Sequence, residues 1–168
     1  VSCAFGCPFN GASKEHKLVD VMKKAEALAD TVVLCDTIGI AHPTRILQTL
    51  ELTRGIDAQI ALHLHKRKNK NTDIFANVKS ALNWGITNFD SSIAGLGGCP
   101  FIPNSGSNLS TNELINWANK NNYETGIDVG NLSEITDWLY AKEMQKSRVG
   151  LREKMRVKLE NWINVKSC

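Results

Sequence analysis

The 168-residue chain has no long apolar run: nothing in it approaches the ~20 residues that a membrane span needs. It shows no secretory signal pattern and opens on Val1 rather than Met. It has no CxxC pair, since Cys3 and Cys7 stand too far apart, and its five cysteines (Cys3, Cys7, Cys35, Cys99, Cys168) are odd in number and scattered. Such spacing excludes a disulfide framework and argues for reduced thiols inside a cell. No segment repeats at a fixed short period. The chain also lacks a strong charge of either sign, with a net +3 overall. The charge is uneven, however: Lys142–Cys168 carries +5 and residues 1–141 carry −2. The basic tail reads as a solvated helix face in preference to a nucleic-acid surface.

What the chain does have is alternation. Val1–Phe5 reads as the end of a strand, and Gly6–Gly11 as a turn-rich loop. Ser13 is placed to cap a helix carrying Leu18, Val19, Met22, Ala25 and Leu28 at helical spacing. Thr31–Cys35 is a near-continuous apolar run, which predicts a parallel strand covered on both faces. Pro43 starts a helix with Ile46, Leu47, Leu50 and Leu52, and Ala58–Leu64 is the next strand. The polar loop Lys66–Asn71 leads to a helix capped by Thr72, with Ile74, Val78, Ala81 and Leu82 inward and Gly85 as its stop. Ile86–Ile93 reads as a strand. Beyond Cys99 only helices are expected: one capped by Thr111 with Leu114, Trp117 and Ala118, one capped by Ser133 with Ile135, Trp138 and Leu139, and a last one near Val149–Val165. Strands alternating with amphipathic helices predict a parallel α/β sheet.

Polar residues gather at the strand ends. His63 and His65 flank Leu64, and a period of two places both imidazoles on one side, where they can share a metal ion or remain a surface pair. Asp36 ends the preceding strand. Cys99 sits in Gly95-Leu96-Gly97-Gly98-Cys99-Pro100, too rich in glycine for helix or strand, and reads either as a catalytic thiol or as a small cysteine in a tight turn. Asn108 follows nine residues later, close enough for its amide oxygen to reach the same place. In parallel α/β folds the carboxyl ends of the strands line the site. Lys66, Arg67, Lys68 and Lys70 crown that face, as a solvated loop or as contacts for an anion such as phosphate.

The stretch Asp90-Ser91-Ser92-Ile93-Ala94-Gly95-Leu96-Gly97-Gly98-Cys99-Pro100-Phe101 closely resembles the cysteine signature of the 3-hydroxy-3-methylglutaryl-CoA lyases, which are TIM-barrel metallolyases. The resemblance extends from Ser2 to about Leu132. It aligns Ser2–Phe9 with the family's fifth strand and loop, Asp36–Gly39 with the end of the sixth, His63–His65 with the seventh, and the Cys99 loop with the eighth.

The resemblance implies an α/β fold, a partial (β/α)8 TIM barrel of roughly strands 5–8 followed by C-terminal helices. The barrel part would cover residues 1–132 and the helices residues 133–168. It implies His63, His65 and Asn108 as ligands of Mg²⁺ or Mn²⁺. Cys99, Asp36 and His63 would be catalytic, Gly95, Gly97 and Gly98 would form a substrate loop, and Lys66, Arg67, Lys68 and Lys70 would be available to coenzyme A phosphates.

The implied reaction is retro-Claisen cleavage of 3-hydroxy-3-methylglutaryl-CoA to acetyl-CoA and acetoacetate, a step of leucine degradation and ketone body formation. Related barrels that run Claisen-type condensations share the HxH pair but usually lack the glycine-cysteine-proline loop. A non-catalytic barrel domain is the third reading. The implied partners are an acyl-CoA substrate and a second copy of the full-length chain, with no nucleic acid and no membrane. The implied location is the bacterial cytoplasm or the mitochondrial matrix. Against the family pattern, Lys66–Asn69 replaces Asp-Thr-Tyr-Gly after the second histidine, Ser107-Asn108 stands for Gly-Asn, and Asn112 is inserted before Glu113. The family's first four strands, with an Asp ligand and a catalytic Arg, have no counterpart here. A barrel of this kind typically takes ~250 residues, so the 168-residue chain alone is expected to be inactive as a lyase and to associate.

Overall fold

The computed structural model describes residues 1–7, 11, 14–66, 73–97 and 106–143. The chain divides into two compact units, one ending at Thr125 and the other beginning at Gly126.

In the first unit the elements run α1 (Glu15–Glu26), β1 (Thr31–Cys35), α2 (Pro43–Glu51), β2 (Gln59–His63), β3 (His65–Lys66), α3 (Ile74–Trp84), β4 (Asn88–Asp90), β5 (Ser107–Asn108) and α4 (Thr111–Lys120). A parallel sheet has the order β1-β2-β4. Val1 adds one rung beside β1, its N–H donating to the Val33 carbonyl at 2.6 Å and its carbonyl accepting from Cys35 N–H at 3.0 Å. The strand-end reading of Val1–Phe5 thus comes down to that rung and one further bond, from Ala4 N–H to the Cys35 carbonyl at 3.1 Å, with a turn between them.

Sheet register explains the core. Val32, Leu34 and Leu62 project to one face and are buried with Leu18 and Met22 of α1, Ile46 and Leu50 of α2, and Val78 and Ala81 of α3. Strand alternation sends Val33, Cys35 and His63 to the other face, where they are only half-buried. The expectation that β1 is covered on both faces is therefore corrected. The helices pack on one face, and a closed barrel would cover the other with its own far strands, which the described residues do not include.

Several boundaries also move. Leu28 lies past the end of α1 and is 88% exposed, and Leu47 turns outward on α2. Ser13 and Thr72 lie outside the described residues; Lys14 precedes α1, and Asp73 caps α3 by accepting from Phe75 N–H at 2.9 Å. The strand expected to run to Leu64 ends at His63, because His65 and Lys66 change partners and pair antiparallel with Asn108 and Ser107. The strand expected over Ile86–Ile93 shortens to Asn88–Asp90 and gives way to a 3-10 turn at Ile93–Gly95. Ser110, one residue before Thr111, caps α4, and Ile115 joins Ala118 in its buried stripe.

Gly85 does stop α3, in the left-handed region at φ 113°. An added Cβ would meet nothing within 4 Å there, so only backbone strain opposes a side chain. Gly85→Ala should cost about 1–2 kcal/mol in urea unfolding. An unchanged midpoint would show that this turn does not need glycine.

In the second unit, residues 129–143 are helical. Asp128 caps this helix, its Oδ1 accepting from Asn131 N–H at 3.0 Å. Ser133 therefore falls inside the helix, and the buried residues are Leu132 and Thr136 while Ile135 and Trp138 are exposed. The helix expected near Val149–Val165 lies outside the described residues. Among the described residues, no helix is long and apolar enough to cross a membrane.

Candidate metal centre

The register Cys35–His63–Asp90 brings three strand ends to one level, and the chain leaves each of them with its polar groups committed. After β1, Asp36 is buried and both carboxylate oxygens accept backbone N–H groups, Oδ1 from Ile40 and Oδ2 from Ala41, each at 3.0 Å. Burial pushes its carboxyl above the ordinary carboxylate range, against the pull of those two amides and of nearby His65. Burial likewise raises the Cys35 thiol. The Ala41 carbonyl is held in turn by the side-chain amide of Asn77, at 3.0 Å.

This clamped loop presents two carbonyls to His65. Its Nδ1 lies 3.0 Å from the Asp36 oxygen and 3.2 Å from that of Thr37. A carbonyl can only accept, so these contacts assign the proton to Nδ1 and leave a lone pair on Nε2 in the neutral ring. The same reasoning applies to His63, whose Nδ1 lies 3.3 Å from Asp90 Oδ2, directing its Nε2 lone pair inward. The two rings meet edge to face, with centroids 4.9 Å apart and their Nε2 atoms at 3.3 Å. Asn108 donates its Nδ2 to the Leu96 carbonyl at 2.7 Å, which leaves its acceptor Oδ1 at 2.8 Å from His65 Nε2.

Two acceptors, His63 Nε2 and Asn108 Oδ1, therefore both face a third, His65 Nε2, with no proton assigned between them. A proton on His65 would relieve one contact, whereas a divalent cation relieves them all. Adjacent ligands around an octahedral cation with bonds of 2.0–2.1 Å stand about 3 Å apart, and the observed 2.8 and 3.3 Å bracket that spacing. The residues fit a hard divalent cation. Among the described residues no set of three or more His, Cys, Asp or Glu side chains converges; the third donor here is an amide.

Of the other expected site residues, Lys66 lies with its Nζ 3.3 Å from Glu113 Oε1 and 3.4 Å from Oε2. Gly95 and Gly97 lie against Asn108. Gly98, Cys99, Arg67, Lys68 and Lys70 lie outside the described residues. Sequence reasoning missed Asp90, although its place at the end of the strand after the histidine pair was a signal. It also missed the carbonyls of Thr37 and Leu96, for which side-chain identity carries no signal.

Parallel strands alternating with helices, and polar groups gathered where the strands end, define a class: a (β/α)-barrel sheet carrying its site at the carboxyl face. The chain belongs to the HMGL-like family, whose model matches residues 1–139. It is 35% identical over 144 residues to the (R)-citramalyl-CoA lyase of Chloroflexus aurantiacus, covering 84% of this chain and 44% of that one. It is also 35% identical over 156 residues to the hydroxymethylglutaryl-CoA lyase of Pseudomonas mevalonii, covering 90% of this chain and 51% of the relative. The crystal structure of the HMG-CoA lyase from Bacillus subtilis superimposes with a TM-score of 0.74 and 31% identity, over 83% of this chain and 47% of that one. The chain thus spans about half the length of the relatives it matches. The expected fold, part of a TIM barrel of the HMG-CoA lyase kind, is the one found.

Proposed function

We propose that this chain supplies the carboxyl-side half of a metal-dependent acyl-CoA lyase that cleaves 3-hydroxy-3-methylglutaryl-CoA to acetyl-CoA and acetoacetate. The observation that carries the proposal is the convergence of His63 Nε2, His65 Nε2 and Asn108 Oδ1, each side chain's other polar atom being already spent on a fixed partner. Family membership supports the reaction class, since the relatives named above are lyases of acyl-CoA substrates.

These three residues would hold Mg²⁺ or Mn²⁺. The chemistry that such a cation would supply is to lower the pKa of the substrate's hydroxyl. His63 is the more open imidazole, its side chain 30% exposed. With its one Nε2 lone pair given to the cation, His63 would hold the cation against the hydroxyl, and a His63 released from the cation would have that same lone pair free for the hydroxyl proton. Asp36, buried with both oxygens committed, acts by fixing the carbonyls that orient His65. As the bond between C2 and C3 breaks, its electron pair passes to the thioester enolate. Cys99 would then give its Sγ proton to the enolate carbon, and the proton taken from the hydroxyl would return to the resulting thiolate. A thiol pKa near ~8.5 keeps that proton in place at neutral pH yet available. Lys66, Arg67, Lys68 and Lys70 belong to the loop that would meet the coenzyme phosphates, and full-length copies would pair.

Asp90 shapes the site from behind His63. Carboxylates in this position hold a ligating ring in the correct tautomer and orientation, and their loss typically costs 10–100-fold in metal affinity. Because the Asp90 side chain is half exposed, Asp90→Asn should fall at the low end, about tenfold in the Mn²⁺ dissociation constant. Unchanged Mn²⁺ binding by calorimetry would remove Asp90 from the site.

The reaction is tested by supplying the purified full-length protein and Mg²⁺ with 3-hydroxy-3-methylglutaryl-CoA and, separately, with citramalyl-CoA. Acetoacetate from the first supports the proposal. Pyruvate from the second alone would move the assignment to the citramalyl substrate, a reading that the equal identity to that lyase keeps in the test. No cleavage of either would leave a condensing or non-catalytic role.

A further inference from the structure

The site raises a question that its ligands do not answer. In the metal-free protein, the better hydrogen bond for Asn108 would turn its amide over, letting Nδ2 donate to the lone pair on His65 Nε2. The structure shows the opposite, with Oδ1 facing His65 at 2.8 Å. Something outside the cluster must hold the amide in the orientation that suits a cation.

We propose that the turn Ser92–Gly97 is a clamp that sets the orientation of the Asn108 amide and so couples the glycine loop to cation affinity. The proposal rests on the metal reading above. The Leu96 carbonyl receives Asn108 Nδ2 at 2.7 Å, so the overturned amide would set two oxygens against each other at that distance. The carbonyl is itself anchored by Ser92 Oγ, which donates to it at 2.7 Å. The turn is closed by Gly95 N–H to the Ser92 carbonyl at 3.0 Å and by Leu96 N–H to the Ile93 carbonyl at 3.1 Å. Asn112, the residue inserted relative to the family pattern, accepts Ala94 N–H at 3.0 Å and supports the left-handed Ala94 at φ 56°.

The glycines make the close approach possible. At Gly97 (φ 95°) a Cβ would fall 2.8 Å from Asn108 Nδ2, and at Gly95 (φ 69°) 3.0 Å from the Asn108 carbonyl oxygen. Both positions therefore demand glycine for conformation and for space. Two acceptors, the Leu96 carbonyl and His65 Nε2, compete for one NH₂ group, and the turn decides in favour of Leu96. Linkage is reciprocal: if the closed turn favours the cation, the cation favours the closed turn by the same factor. Gly95 and Gly97 would then be positioning residues for the ligand set, whatever else the loop does for substrate.

The test uses Mn²⁺ and the full-length protein, with affinity read by EPR and with backbone amide exchange read at Gly95 and Leu96. Gly97→Ala should weaken Mn²⁺ binding about tenfold, within the 10–100-fold range for groups that orient a ligand. Ser92→Ala should weaken it less, Ser92→Thr should retain it, and Mn²⁺ should slow exchange at Gly95 and Leu96 in the parent. If Gly97→Ala fails to fold, the Ser92 pair decides. The clamp is overturned if folded Ser92→Ala and Gly97→Ala bind Mn²⁺ like the parent while His65→Ala does not, a result that leaves the metal reading intact. It is equally overturned if Mn²⁺ leaves exchange in the turn unchanged. Should His65→Ala also bind like the parent, the metal reading fails and the clamp fails with it.

Discussion

Replacing His65 with alanine should abolish useful Mn²⁺ binding in the full-length protein, weakening it about 100-fold or more, since even residues that merely orient a ligand cost 10–100-fold. The change removes a side chain with four contacts in the centre: Nε2 faces both His63 and Asn108, and Nδ1 ties down the carbonyls of Asp36 and Thr37. Its loss also takes one donor from each of those carbonyls, and because the Asp36 carbonyl keeps Gly39 N–H at 3.1 Å, this should cost about 1 kcal/mol of stability. His63→Ala should differ in kind. Its ring is more open and makes none of these carbonyl contacts, so stability should hold while both metal affinity and turnover fall. Calorimetric titration with Mn²⁺ and thermal melts of both variants separate the two. Parent-like Mn²⁺ binding by both would place the cation elsewhere in the protein.

Cys99→Ala should lower turnover of the full-length enzyme by about 10²-fold or more, the usual scale for a lost general acid. The thiol is asked to do one thing, deliver a proton to carbon, and alanine removes that proton without changing charge. The Mn²⁺ dissociation constant should therefore stay within error of the parent, because the ligands proposed here are His63, His65 and Asn108. Steady-state kinetics alongside metal titration decide the point. Parent-like turnover in Cys99→Ala would end the role given to this cysteine and shift attention to the half-buried Cys35, which shares a register level with His63.

Much of this was legible in the chain because the relevant physics is local. The apolar run Thr31–Cys35 and the stripe Leu18/Met22 announce a strand and a helix through their periods. Gly85 announces a stop because only glycine is at ease in a left-handed cap. The pair His63/His65 was readable because strand alternation puts both rings on one side, even though the strand changes partners between them. Boundaries were less legible: the ends of β2 and β4 depend on where distant segments dock, and Leu28 and Leu47 looked inward only so long as their helices' neighbours were unknown.

By itself, the sequence determined the alternation of strand and helix, the family signature around Cys99, and the residue types that can bind a cation, since these follow from side-chain chemistry at short range. Only the tertiary structure decided which atoms of those residues face inward. Asp36 stands at a strand end, as the sequence indicated, and the fold buries it with two amides of its own loop turned back onto its oxygens. Asp90 gained its place from parallel register with His63. The tautomer of His65 and the orientation of the Asn108 amide were settled by the backbone carbonyls of Asp36, Thr37 and Leu96. Every residue carries such a carbonyl, so no pattern of side chains could announce those three; only the folding of separate loops onto one point selects them.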